Sequence, residues 1–363
     1  MTRLHQLFDE QGQSPWLDNL QRSYLADGTL QRLVGDGIRG VTSNPTIFQK
    51  AISSSADYDE QFASASARLG VAEAYWELVV DDIRGACDVL RPVHDASGGS
   101  DGFVSIEVSP ALAHDTDGTV AAARDLYARV DRPNVMVKVP ATEDGVRAVR
   151  TLVAEGRDVN ITLIFSLPRY GQVMEAYLSG LEELVSGGGD PARTRSVASF
   201  FVSRVDTEVD RRLEQVGTPE ALDRRGRAAV AQARLAYQAF RRTFSGPRWE
   251  ALASRGANVQ RPLWASTSTK NPAYPDLLYV DSLIGPDTVD TLPEPTVEAF
   301  LDHGTVARTV DADPEAAAAE WEAIGRLVDL DDVARVLEEE GVSSFAKSFD
   351  VLLEALEDKA ARL

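Results

Sequence analysis

The sequence predicts an α/β protein of the closed (β/α)8 barrel class, and three observations predict it. Short β-rich runs alternate with longer amphipathic helical stretches from the first residues to about residue 290, which implies parallel strands joined by helical crossovers. Eight such units in 363 residues and 39.4 kDa suit one large decorated barrel better than an open doubly wound sheet. Several strands also carry polar side chains on one face near their carboxyl ends, where barrel enzymes place their chemistry. Residues 1–363 are therefore expected to form a single barrel domain, with 311–363 a helical C-terminal extension packed on it.

The elements follow in order. The first strand is the weakest, Pro15–Leu20, which contains Trp16-Leu17-Asp18. Ile38–Ser43 is the next, rich in β-branched residues, and a helix with a 3.6-residue apolar period covers Val71–Leu90. Strands Phe103–Val108, Val135–Val139, Val159–Phe165 and Val197–Val202 then alternate with helices Thr119–Val130, Gly145–Glu155 and Arg169–Val185. Gly187-Gly188-Gly189 runs into Asp190-Pro191 and is a loop. A long helix over Pro219–Phe244 leads to strands Leu263–Ser266 and Leu278–Leu283. After Val310 the composition becomes acidic and alanine-rich, ending in a helix over Ser344–Leu363.

Charge and composition exclude several functions. With 57 acidic and 37 basic side chains the chain carries −20, so it repels nucleic-acid phosphates and anionic lipid. No nucleic-acid or membrane partner is expected, and any anionic ligand must meet a local gathering of bases. Cys87 is the single cysteine, which fits a reducing compartment. The N-terminus lacks an apolar signal core and no run of about 18 apolar residues occurs, so the protein is expected to be cytoplasmic. The four histidines are scattered without metal-ligand spacing, and no metal site is expected. Neither GxxxxGK[ST] nor a GxGxxG after a strand is present, so the phosphate cradles of nucleotide-binding folds are missing. No heptad or surface pattern marks an interface, which leaves a monomer or a homodimer.

Strand parity locates the chemistry. Side chains alternate faces along a strand. In Val135-Met136-Val137-Lys138-Val139 the three valines face the outer helices, which turns Met136 and Lys138 into the lumen. The same parity turns Ser105 and Glu107 inward, and pairs Asn160 with Thr162 and Thr42 with Asn44 on common faces. A lysine in a dry barrel responds to burial by lowering its pKa from about 10.4. The neutral amine attacks a ketone or aldehyde to give a Schiff base, whose iminium stabilises the carbanion left by carbon–carbon cleavage. This chemistry needs no metal or cofactor. Glu107 suits activation of a water, and Asp18 suits the hydroxyl proton whose removal starts cleavage. Asn44, Asn160, Thr162 and Ser199 are neutral groups able to hold sugar hydroxyls. Taken singly each residue has a blander reading: Lys138 with Glu107 as a structural ion pair, Asp18 as a helix cap, Asn44-Pro45 as a turn, Arg204 paired outward with Asp206, and Trp16, Phe201 and Trp264 as packing.

The segments Gly40-Val-Thr-Ser-Asn-Pro-Thr-Ile-Phe48, Ile106-Glu-Val108, Val135-Met-Val-Lys-Val-Pro-Ala-Thr142, Asn160-Ile-Thr-Leu-Ile-Phe-Ser166 and Ser199-Phe-Phe-Val-Ser-Arg204 resemble, in order and spacing, the successive motifs of transaldolases. The resemblance runs from about Leu4 to Thr309, and the acidic tail resembles the longer, actinobacterial-like group. It implies a TIM barrel and a class I Schiff-base mechanism that moves a dihydroxyacetone unit between sugar phosphates. By position it makes Lys138 the Schiff-base lysine, gives Glu107 and Thr162 the catalytic water, and gives Asp18 the proton at the cleaved bond. Asn44, Asn160 and Ser199 would hold the dihydroxyacetone part, Phe201 would line the pocket and Arg204 would bind the sugar phosphate. Two departures stand out. Phe200 and Ser203 replace the proline and glycine that usually flank the sixth-strand Phe-Val, and the second phosphate-binding arginine has no counterpart. Ala265-Ser-Thr-Ser-Thr-Lys270 offers Lys270 in its place, charge without a bidentate fork. The implied reaction converts sedoheptulose 7-phosphate and glyceraldehyde 3-phosphate into erythrose 4-phosphate and fructose 6-phosphate, in the non-oxidative pentose phosphate pathway. The rivals are a fructose 6-phosphate aldolase, whose relatives are shorter and carry tyrosine in place of the water-holding glutamate, and a non-catalytic sugar-phosphate-binding barrel.

Overall fold

A computed structural model describes residues 1–360. Eight parallel strands close into a barrel in sequential order. They are β1 (Gln13–Leu17), β2 (Gly40–Thr42), β3 (Val104–Glu107), β4 (Val135–Pro140), β5 (Val159–Ile164), β6 (Ser196–Phe201), β7 (Gln260–Ala265) and β8 (Thr288–Leu292). The last strand pairs with the first, Gln13 to Leu17 against Thr288 to Leu292. Closure leaves no strand edge exposed, and every strand residue except the half-buried Arg261 is buried.

Two of the expected elements differ, and one strand lies where none was expected. Leu278–Leu283 is not a strand; Leu278–Ser282 is a short helix, and β8 lies further on. A short apolar run reads equally well as a buried helix turn, and here Tyr279, Val280 and Leu283 are buried while Asp281 is only half-buried. The true eighth strand, Thr-Val-Asp-Thr-Leu, was hidden by its polarity, since Thr288, Asp290 and Thr291 are buried. The helix expected over Pro219–Phe244 is two helices, Pro219–Asp223 and Ala228–Thr243, separated at Gly226 in the left-handed region.

Trp16 fills the centre of the lumen, fully buried, with its indole Nε1 donating to Asp101 Oδ1 at 3.0 Å. It can lie there only because residue 40 is glycine: a Cβ at Gly40 would come within 2.4 Å of the ring. Asp101 also accepts from Ser14 Oγ at 2.5 Å and from Arg39 Nε at 2.8 Å, which ties the floor of the barrel together.

The tail makes two helices. Pro314–Gly325 packs against Ala228–Thr243. Leu330–Ala360, in which Leu352 is fully buried, packs against the helices Pro45–Ser54, Val71–Ala96 and Ser203–Val216, and touches β5. Its middle therefore crosses the carboxyl end of the barrel. The last three residues of the helix expected over 344–363 lie outside the described residues.

Candidate active site

The site is built at the carboxyl ends of the strands by register. Glu107 on β3 is the direct neighbour of Lys138 on β4, and Lys138 is the neighbour of Asn160 on β5. Inward parity thus delivers three polar side chains side by side. Lys138 is only 5% exposed, and its Nζ donates to the Ser43 carbonyl at 2.9 Å and lies 3.1 Å from Glu107 Oε2. The second contact lacks the angle of a hydrogen bond, so the Glu107 oxygen keeps unspent accepting capacity. Burial pushes the Glu107 carboxyl up from its ordinary range, with Lys138 pulling it back and Asp18 adding to the rise.

Asp18 follows the end of β1, fixed by its N–H donating to the Leu292 carbonyl at 2.9 Å. Its Oδ1 accepts from Thr42 Oγ1 at 2.8 Å, so it is not a helix cap. Burial raises its carboxyl too, opposed chiefly by the charge of Lys138. Asn44 plays two parts: its Oδ1 caps the Pro45–Ser54 helix by accepting from Ile47 N–H at 3.0 Å, and its side chain faces the pocket. Ser199 Oγ donates to Asn160 Oδ1 at 2.7 Å, and Asn160 Nδ2 donates to Ser105 Oγ at 3.0 Å, a chain across three strands. Thr162 Oγ1 is buried without a partner among the described residues, and so is Glu107 Oε2 by hydrogen-bond geometry. Each is a buried polar atom of the kind a bound water satisfies.

Asp18, Asn44, Lys138, Thr162, Ser199, Phe201, Arg204 and Lys270 line one cavity of about 120 Å³. Glu107 stands just behind it against Lys138 Nζ, and Asn160 braces Ser199 from below. All ten residues singled out in the sequence therefore converge. At the outer end Arg204 lies 5.4 Å from the Phe201 ring centroid and is not paired with Asp206, which accepts from Ala229 N–H and Tyr279 Oη. Lys270 Nζ donates to Ser268 Oγ. Burial and the neighbouring Arg204 both push the Lys270 amine downward. Two cations at the mouth of one small pocket, without carboxylate ion pairs among the described residues, suit an anionic substituent at that end.

Sequence reasoning missed three contributors. The Ser43 carbonyl holds Lys138, and backbone atoms carry no signal in a side-chain pattern. Ser266 lines the pocket from a left-handed conformation at φ 58° and shares a hydrogen bond of 2.9 Å with Ser203 Oγ. Phe345 reaches the pocket from the C-terminal helix, 53 residues past the end of β8, where only the tertiary path brings it back.

Barrel and pocket together define a (β/α)8 protein with a buried lysine and two carboxylates at its catalytic end. Residues 15–356 match the model of the Transaldolase/Fructose-6-phosphate aldolase family. The chain is 50% identical over 355 residues to a transaldolase of Frankia alni, covering 97% of this chain and 96% of that one. It is 49% identical over 367 residues to transaldolase 2 of Streptomyces avermitilis (100% and 99% covered), and 50% identical over 362 residues to a transaldolase of Thermobifida fusca (99% and 98%). The chain belongs to the Transaldolase/Fructose-6-phosphate aldolase family.

Proposed function

We propose that this protein is a transaldolase that moves a three-carbon dihydroxyacetone unit from a ketose phosphate to an aldose phosphate through a Schiff base on Lys138. The observation that carries the reading is the buried Lys138 amine, 3.1 Å from Glu107 and in one cavity with Asp18. Glu107 takes a proton from the lysine, which frees its lone pair for attack on the ketose carbonyl carbon. The carbinolamine hydroxyl takes that proton back from Glu107 and leaves as water, held between Glu107 and Thr162, and the carbinolamine becomes an iminium. Asp18 then takes the proton of the hydroxyl one carbon beyond the unit to be transferred. The carbon–carbon bond breaks, its electron pair moves toward the iminium nitrogen to give an enamine, and the aldose departs. Addition of the acceptor aldehyde runs the sequence backwards, and water releases the ketose from the lysine.

Asn44, Asn160 and Ser199 hold the hydroxyls of the bound unit, Phe201 lines its flank, and Arg204 with Lys270 receives the phosphate. The substrates are sedoheptulose 7-phosphate and glyceraldehyde 3-phosphate, within the non-oxidative pentose phosphate pathway, and no cofactor enters. Sugar phosphates are the partners of the site. The reading places the enzyme in the cytoplasm, as a monomer or homodimer; among the described residues no helix is long and apolar enough to cross a membrane. The aldolase alternative is disfavoured by the glutamate at 107 and by relatives of nearly equal length named transaldolase. An acceptor assay tests the choice: erythrose 4-phosphate should form from sedoheptulose 7-phosphate only when glyceraldehyde 3-phosphate is added. Equal turnover without it would identify an aldolase instead.

A further inference from the structure

A second concavity lies at the opposite, amino end of the barrel. It has a volume of about 350 Å³, larger than the pocket around Lys138, and its walls include Met136, Arg195, Arg261, Ser100 and Asn258. Arg261 shares the inward parity of Leu263 and Ala265, so it stands at the floor of the lumen. Its nearest carboxylate, Asp101, is already engaged by Arg39, Trp16 and Ser14, and Arg261 reaches it only at 3.6 Å. Arg195 is less satisfied still. Among the described residues its Nη1 donates only to the backbone carbonyls of Ala192 and Thr194, and its Nε is buried with no partner. Among the described residues no carboxylate forms an ion pair with it. Burial and the nearby Arg261 both push the Arg195 guanidinium downward, partly offset by Asp158. Among the described residues the only carboxylate on the cavity wall is Asp287, exposed on the rim.

Two guanidinium groups therefore face one cavity, incompletely neutralised, in a chain whose net charge is −20. Like charges held together this way are costly unless an anion sits between them. Guanidinium donors are planar and match phosphate oxygens in pairs. We propose that this basal cavity binds a small phosphate-bearing anion between Arg195 and Arg261, at a site separate from the pocket around Lys138. The floor of the barrel, not its mouth, is then a second place where a phosphorylated metabolite registers on this protein.

Inorganic phosphate is the probe, titrated calorimetrically at low ionic strength into the full chain carrying Arg204→Ala, which weakens anion binding at the mouth. Phosphate should still bind this variant. Adding Arg195→Gln should weaken that binding about tenfold or more, while Arg195→Gln alone leaves turnover at saturating substrate unchanged. Ser100→Asp brings a negative charge to the exposed rim without disturbing the core, and should weaken phosphate binding likewise. Loss of all phosphate binding in Arg204→Ala, or affinity unmoved by Ser100→Asp, overturns the proposal.

Discussion

A lysine nitrogen enclosed by a barrel is costly unless every one of its hydrogens has a use. Here one points at the Ser43 carbonyl and another approaches Glu107, and Ser43 itself is braced by its hydroxyl donating to the Ser105 carbonyl at 2.7 Å. The amine is thus held in place before any substrate arrives, which is what preorganised chemistry requires. Arg204 is placed differently, over an aromatic ring at the rim rather than among the reacting groups. Arg204→Ala should accordingly raise KM for sugar phosphates by about tenfold to a hundredfold with a smaller change in kcat, measured by steady-state kinetics. An unchanged KM would remove it from the phosphate end. Residues of this kind were legible in the sequence because strand parity fixes direction: Lys138, Glu107, Asn160 and Thr162 all point where alternation sends them. Asn44 was legible twice over, as turn residue and as ligand group, and it serves as both cap and lining. The Ser43 carbonyl was not legible, because its position depends on how β2 ends and not on a side-chain type.

At the scale of elements, the helix Leu330–Ala360 determines the shape of the mouth. It passes so close to β5 that a Cβ at Gly341 would lie 3.0 Å from Leu163 Cδ2 and 3.5 Å from Phe165. Leu163 occupies the left-handed region at φ 61°, unusual for a leucine, where β5 slips register against β6 between Ile161 and Ile164. It directly follows Thr162, so the helix bears on the strand that presents the Thr162 hydroxyl to the pocket. Gly341→Val should cost about 1–3 kcal/mol of stability by overpacking and lower kcat/KM more than Glu339→Val on the exposed side of the same helix, read by denaturation and kinetics on both. Equal kinetics in the two variants would show that the helix is indifferent to the site. Six strands were read close to their true bounds because apolar, β-branched runs announce them. The eighth was missed because both of its buried faces carry polar residues, Thr288 and Asp290 on one and Thr291 on the other, and the helix over Leu278–Ser282 took its place because its run of apolar residues is longer. Nothing in the acidic tail announced that Phe345 lines the pocket.

For the molecule as a whole, the excess of acidic groups is carried outside while a few carboxylates are buried in the barrel wall. Asp290 on β8 is fully buried with Oδ1 accepting from Thr267 Oγ1 at 2.9 Å, and burial pushes its carboxyl up to about 7. A carboxyl that titrates higher in the native state than in the unfolded chain keeps its proton longer when folded. Its contribution therefore falls as pH rises from the unfolded value, about 4, to about 7, and is level above. Asp290→Asn removes that slope. Urea denaturation should show the variant gaining stability relative to the parent between about pH 4 and about pH 8, by at most ~1.4 kcal/mol for each pH unit of the shift. A difference independent of pH would contradict the buried, proton-holding state. The closed barrel was legible at this scale from alternation and length alone, since eight parallel crossovers leave few other architectures.

Transfer through a Schiff base requires that the nitrogen of residue 138 become covalently joined to a ketose. Borohydride reduction in the presence of fructose 6-phosphate, followed by peptide mass mapping, reads this directly. A stable three-carbon or six-carbon adduct is expected on the peptide containing Lys138, and none in Lys138→Ala, which should fold normally and lose turnover. An unmodified Lys138 peptide, or an adduct confined to another lysine, would contradict the Schiff-base transfer.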